Sequence, residues 1–150
     1  MKSILLFTLF MFFGLSAKSQ ILEPVKWTYS SKRISKTTAV VYIKATIDKG
    51  WYIYSQTVQK GGPVKITIEF APSNQFSLVG KTLGPKPISK YDKTFKMNVG
   101  YFQNTVTFQQ TINLKTNSAN VKGSVAFMTC DATRCIPEEI IDFSIPVKSI

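Results

Sequence analysis

VVYIKATI, residues 40–47, sets Val41, Ile43, Ala45 and Ile47 on one side of an extended chain and Val40, Tyr42, Lys44 and Thr46 on the other. Successive side chains of a strand point to opposite faces, so this alternation predicts a strand with one buried face. The pattern returns at Val64, Ile66, Ile68 and Phe70, and at Val106, Phe108, Gln110 and Ile112. It returns again at Val121, Gly123, Val125 and Phe127, and at Ile141, Phe143, Ile145 and Val147. Turn signals separate these runs: DKG at 48–50, KGGP at 60–63, APSN at 71–74, LGPKP at 83–87 and KTNSAN at 115–120. No window keeps a helical period for more than about a turn, and there is no internal repeat or composition break. Seven or more short strands with one apolar face each predict an all-β fold, a single immunoglobulin-like β-sandwich. The longest piece without clean alternation, KTLGPKPISKYDKTFKMNVG at 81–100, is expected to be an irregular loop lying over something.

The first residues, MKSILLFTLFMFFGLSAKSQ, carry Lys2, an apolar run from Ile4 to Phe13, and small residues at Ala17 and Ser19. This is the pattern of a secretory signal peptide, 1–19, leaving a mature domain at 20–150. The apolar run is about half the ~20 residues a spanning helix needs, and no second one follows, so no membrane span is expected. The formal charge is +11, and removal of Lys2 and Lys18 makes it +9. The lysines mostly alternate with apolar residues, as in KITIEF and YIKATI, which describes a solvated strand face rather than a nucleic-acid site. Four of the eight acidic residues, Asp131, Glu138, Glu139 and Asp142, cluster around the second cysteine. A locally acidic end on a basic protein would help select a partner by charge.

The two cysteines, Cys130 and Cys135, have four residues between them in TCDATRCIPEE, 129–139. The chain has no histidine, which removes Ser-His-Asp and Cys-His nucleophiles and the histidine zinc sites together. Two cysteines alone do not fill a tetrahedral zinc site, so no metal is expected. The pair is too close in sequence to be the inter-sheet disulfide of an antibody domain, and it is not the C-x-x-C of a thioredoxin fold. A bridge between them would close a loop of about six residues and stabilise by roughly 2 kcal/mol. Both a loop staple and an exchangeable redox pair remain open on spacing. Arg134 would favour a thiolate on Cys135 if it turned toward the sulfur, and Asp131 would oppose one.

GWYIYS at 50–55 reads as a strand with Trp51 and Ile53 on one face and Tyr52 and Tyr54 on the other. Trp51 is a core residue on this reading. The tyrosines are either surface residues or a pair of hydroxyl-bearing rings flanking a disulfide. Phe95 stands alone among polar residues in DKTFK, as an ordinary exposed aromatic or as a cover for a reactive sulfur.

These pieces together resemble the N-terminal periplasmic domain of the thiol:disulfide interchange protein DsbD, a bacterial disulfide reductase. The matching residues are VKW at 25–27, GWYIYS with GGP at 61–63, the DKTF loop before NTVTFQQTI, and the block CDATRCIPEEIIDFSIPV. The most specific is the cysteine loop with Ile136-Pro137 directly after it. The resemblance implies an immunoglobulin-like sandwich with an active-site pair, in which Cys135 exchanges with the partner and Cys130 resolves the mixed disulfide. It places Phe95 at the tip of a cap loop shielding the pair and has Tyr52 and Tyr54 line the site.

The family's best-known members have five residues between the cysteines where this chain has four. Lys93 and Thr94 stand where acidic residues precede the cap aromatic there, which argues against a carboxylate in the cap. Those proteins continue into a membrane-embedded redox domain and a thioredoxin-like domain, so electrons are expected from a separate membrane-embedded disulfide reductase or a thioredoxin-like protein, the alternative being a free-standing domain with a changed task. The implied function is a periplasmic relay to thioredoxin-like proteins, without a cofactor because the cysteines carry the electrons. The rival reading is an exported, non-catalytic binding module with a stapled turn, and a weaker third is an assembly role in cytochrome maturation.

Overall fold

A computed structural model describes residues 22–149. Ten strands run through them: β1 Val25–Arg33, β2 Thr38–Ile47, β3 Tyr52–Tyr54, β4 Thr67–Phe70, β5 Phe76–Leu83, β6 Ile88–Asp92, β7 Met97–Phe102, β8 Thr105–Leu114, β9 Ala119–Cys130 and β10 Cys135–Val147. One sheet has the order β1-β2-β8-β5, the other β10-β9-β3-β7-β6, with β4 also paired to β9. All pairings are antiparallel. The fold is the expected all-β, immunoglobulin-like sandwich.

The alternation read from the sequence fills the space between the sheets. Val41, Ile43, Ala45 and Ile47 of β2 and Val106, Phe108 and Ile112 of β8 are buried in one cluster with Val121, Val125 and Phe127 of β9 and Phe143, Ile145 and Val147 of β10. Each of these valine, isoleucine and phenylalanine side chains contributes about 1.5–3 kcal/mol by leaving water. Gln110 breaks the apolar run of β8 at an equally buried position. β5 is bulged between Val79 and Leu83, with Gly80 in the left-handed region at φ 68°. The Gln110 amide nitrogen donates to Val79 O at 3.0 Å, and its oxygen accepts from the Thr82 hydroxyl at 2.9 Å. A buried polar side chain thus closes the ladder that the bulge opens.

Two expectations need correction. The alternating run at 64–70 is a strand only over Thr67–Phe70, since Ile66 instead donates its N–H to Ser55 O outside the ladder, at 3.2 Å. The segment 81–100 is no irregular loop: residues 81–83 finish β5, and from Ile88 onward it forms the hairpin of β6 and β7. Neither strand of this hairpin shows clean alternation, because it lies at the sheet's edge and covers a site rather than the main core. The expected signal peptide lies outside the described residues. Among the described residues no helix is long and apolar enough to cross a membrane.

Candidate functional site: a disulfide beside an aromatic cap

Cys130 ends β9 and Cys135 begins β10, and the register sets them directly opposite each other. Asp131 builds the turn between them. Its N–H donates to Arg134 O at 2.9 Å. Its Oδ1 accepts from the N–H of Thr133 at 2.7 Å, the N–H of Arg134 at 2.8 Å and the Thr133 hydroxyl at 2.8 Å. This is the turn that an Asp side chain makes when it stands in for a backbone carbonyl. The N–H of Thr133 first, then that of Arg134, holds the Asp131 carboxyl below the usual carboxylate range. Across the closed turn the two sulfurs form a disulfide.

The bridge is asymmetric. Cys130 is 0% exposed, whereas Cys135 is exposed. β3 pairs with β9 so that Tyr52 lies opposite Cys130. Ile53 points into the main core with Trp51 packed against it, while Tyr52, Tyr54, Val99 and Cys130 form a second buried cluster. The two tyrosines are therefore buried rather than surface residues, because the β6–β7 hairpin covers their face.

The Tyr54 hydroxyl donates to Asp92 Oδ2 at 3.1 Å, and its oxygen lies 3.5 Å from Cys130 Sγ. A phenol has one proton to give, so with Asp92 taking it the oxygen turns lone pairs toward the sulfur. A Cys130 thiol, formed on reduction, would find an acceptor there. Burial first, then neighbouring Tyr52 and Asp92, pushes the Tyr54 hydroxyl's pKa up. It stays neutral where thiols titrate.

Asp92 is a site residue that the sequence reading missed. Its Oδ1 accepts the N–H of Thr94 at 2.9 Å and of Phe95 at 3.3 Å, fixing the turn at the hairpin tip. Lys96 closes that turn in the left-handed region, φ 52°. The cap therefore does have a carboxylate, placed just before Lys93 and Thr94. An Asp opening a turn, in YDKTF, was the available signal. Phe95 is half-buried, not isolated, and meets Tyr54 edge-on with ring centroids 6.1 Å apart. Cys135 stays exposed with the hairpin in this position, so the cap covers the Cys130 side of the bridge.

Two cations flank the bridge. Arg134 does not turn to the sulfur: its Nε lies 3.5 Å from Asp131 Oδ2 and its guanidinium 5.6 Å from the Trp51 ring centre. Lys90, also unforeseen, sets its Nζ 3.5 Å from the centre of the Tyr52 ring and 4.7 Å from that of Tyr101. Such a seat is worth about 0.5–1 kcal/mol at an exposed site. Between the hairpin and the cysteine turn runs a cleft of ≈ 620 Å³, lined by Tyr52, Tyr54, Lys90, Asp92, Arg134 and Cys135 among others. A larger groove at Phe70, Lys122 and Phe143 lies away from any reactive group. Cys130, Cys135, Tyr52, Tyr54, Phe95, Asp131 and Arg134, picked from the sequence, all meet at this one end.

A bridge with one exposed and one buried sulfur on an immunoglobulin-like sandwich is the arrangement that a thiol-disulfide exchange domain needs. The chain belongs to the family described as "Thiol:disulfide interchange protein DsbD, N-terminal", which it matches over residues 18–145. Similar solved structures include the reduced DsbD N-terminal domain of Neisseria meningitidis, with TM-score 0.54 and 16% identity over 81% of this chain and 86% of that one. The N-terminal periplasmic domain of ScsB from Proteus mirabilis has TM-score 0.60 and 17% identity over 85% of this chain and 47% of that one. A complex of the DsbD and PilB N-terminal domains from Neisseria meningitidis contains a chain with TM-score 0.57 and 16% identity, over 83% of this chain and 87% of that one. At these identities the likeness carries the fold. No curated protein matches the sequence.

Proposed function

We propose that this protein relays reducing equivalents in the periplasm, from a membrane-embedded disulfide reductase to thioredoxin-like partners, through Cys130 and Cys135. The observation that carries this reading is the asymmetry of the bridge: Cys130 is 0% exposed and Cys135 is exposed. Exchange proceeds through a mixed disulfide, so one sulfur must be reachable and the other must wait to resolve it. Cys135 is the exchanging sulfur and Cys130 the resolving one. Phe95, on its turn tied to Asp92, caps the buried half of the pair, and Tyr52 and Tyr54 line it. Asp131 and Arg134 act by shaping the turn. The DsbD N-terminal domain's recorded complex with the PilB N-terminal domain fits a role in domain-to-domain exchange. A cleaved signal peptide at 1–19 would deliver the domain to the periplasm.

The test is the redox equilibrium of the purified protein against a reduced thioredoxin-like protein, with free thiols counted by alkylation and mass. The relay reading expects ready reduction of the native fold, and a Cys130→Ser variant that traps a mixed disulfide through Cys135. A structural staple should instead sit below about −300 mV and resist these thiols until the protein unfolds. That result would transfer the protein to the class of non-catalytic binding modules.

A further inference from the structure

Both carboxylates at the cleft are occupied from within. Asp92 accepts the Tyr54 hydroxyl and the N–H groups of Thr94 and Phe95. Asp131 accepts its own turn's N–H groups and pairs with Arg134, the one ion pair among the described residues. Lys90 and Lys93 line the same cleft as Cys135 and have no carboxylate partner among the described residues. Lys93 is exposed at the hairpin tip, but Lys90 is half-buried and held over Tyr52 and Tyr101. Aromatic faces hold the amine in place without cancelling its charge.

We propose that Lys90 is a specificity-determining residue that selects thiol partners carrying a carboxylate beside the reacting sulfur. This rests on the exchange reading of Cys130 and Cys135. The incoming thiolate attacks Cys135 Sγ, the bond to Cys130 breaks, and its electron pair leaves on Cys130 Sγ, which then takes a proton. A second thiol displaces the first from Cys135, so two thiols become one disulfide and the bridge becomes two thiols. A carboxylate on the incoming molecule meets Lys90 during the first attack, and an ammonium there is repelled. The acidic residues clustered near Cys135 in the sequence do not offset this charge: Asp131 is spent on its own turn, and Glu138, Glu139 and Asp142 lie outside the cleft.

The experiment follows reduction of the native bridge by 3-mercaptopropionate, 2-mercaptoethanol and cysteamine, which carry negative, neutral and positive groups near the thiol. Comparing wild type with Lys90→Gln for each reagent cancels that reagent's own reactivity. Lys90→Gln should slow the anionic thiol by roughly 2- to 5-fold, leave the neutral one unchanged and speed the cationic one, the size expected of one exposed ion pair. Lys90→Arg should restore the wild-type order. Lys44→Gln makes the same change in net charge on the exposed side of β2 and should leave all three rates alike. In wild type, added salt should slow the anionic reagent and speed the cationic one, a readout that needs no variant. Equal changes with all three reagents would overturn the proposal, as would a Lys44→Gln effect matching that of Lys90→Gln. If no thiol reduces the native bridge, the exchange reading falls and this inference with it. If all three reduce it without regard to charge, exchange stands and only the selection by Lys90 is lost.

Discussion

Two apolar clusters in this molecule differ in kind. The one between the sheets is aliphatic and aromatic, with Phe108, Ile112, Val121 and Val125 all at 0% exposure, and its fully buried members carry no titratable group. The one on the outer face of the β3–β7 region is built from Tyr52, Tyr54, Val99 and Cys130, closed by Phe95, Met97 and Tyr101 from the hairpin. The first is large and sealed on both sides by strands, so its energy comes from removing surface from water. The second is small and roofed by one hairpin, and it contains a hydroxyl, a disulfide sulfur and, at its edge, a 7%-exposed carboxylate. Stability and chemistry are thus assigned to opposite faces of one sheet. β9 supplies both, sending Phe127 inward and Cys130 into the second cluster.

That division can be broken by substitution. Phe108→Ala should have the largest effect, costing about 3–5 kcal/mol in denaturant unfolding because the cavity lies where both sheets are tightly packed. The folded fraction should still show the wild-type rate of bridge reduction. A changed rate would mean that the main core reaches the site. Tyr54→Phe should cost less, about 1–2 kcal/mol, by leaving Asp92 Oδ2 buried without its donor. It should also change the bridge's redox equilibrium, since a reduced Cys130 loses the oxygen that stood 3.5 Å away. An unchanged equilibrium would make the Tyr54 contact mere packing and erase the contrast between the clusters.

Asp131→Asn should have the smallest effect, and its pH dependence identifies it. The carboxyl's pKa is lower in the folded turn than in the unfolded chain, so ionised Asp131 favours folding above the unfolded value, and that contribution is lost as pH falls through the folded value. The stability gap between wild type and variant should be full at neutral pH and close on acidification below about pH 4. A gap that persists at low pH would place the effect in the side chain's shape rather than its charge.

The cysteine turn and the tyrosine strand were legible because they rest on local rules: alternation sent Trp51 and Ile53 one way and Tyr52 and Tyr54 the other, and a four-residue turn can return a strand beside itself. The cap was legible only through the family resemblance, since ISKYD and MNVGYF face a site instead of the core and carry no clean pattern. Asp92 was passed over because its role depends on Tyr54, 38 positions away. The direction of Arg134 stayed open in the sequence for the same reason, as the Trp51 ring beside it lies far away along the chain.

The sequence by itself determined the sandwich and its main core, because strand alternation and turn chemistry act between near neighbours, while the pairing of Cys130 with Cys135 was implied by the family resemblance. Only the tertiary structure decided which sulfur is reachable, which carboxylate ties the cap to the tyrosine, and which lysine keeps its charge open beside the bridge. Those properties arise from groups on different strands brought within a few ångströms of one another, a distance that the order of residues along the chain does not encode.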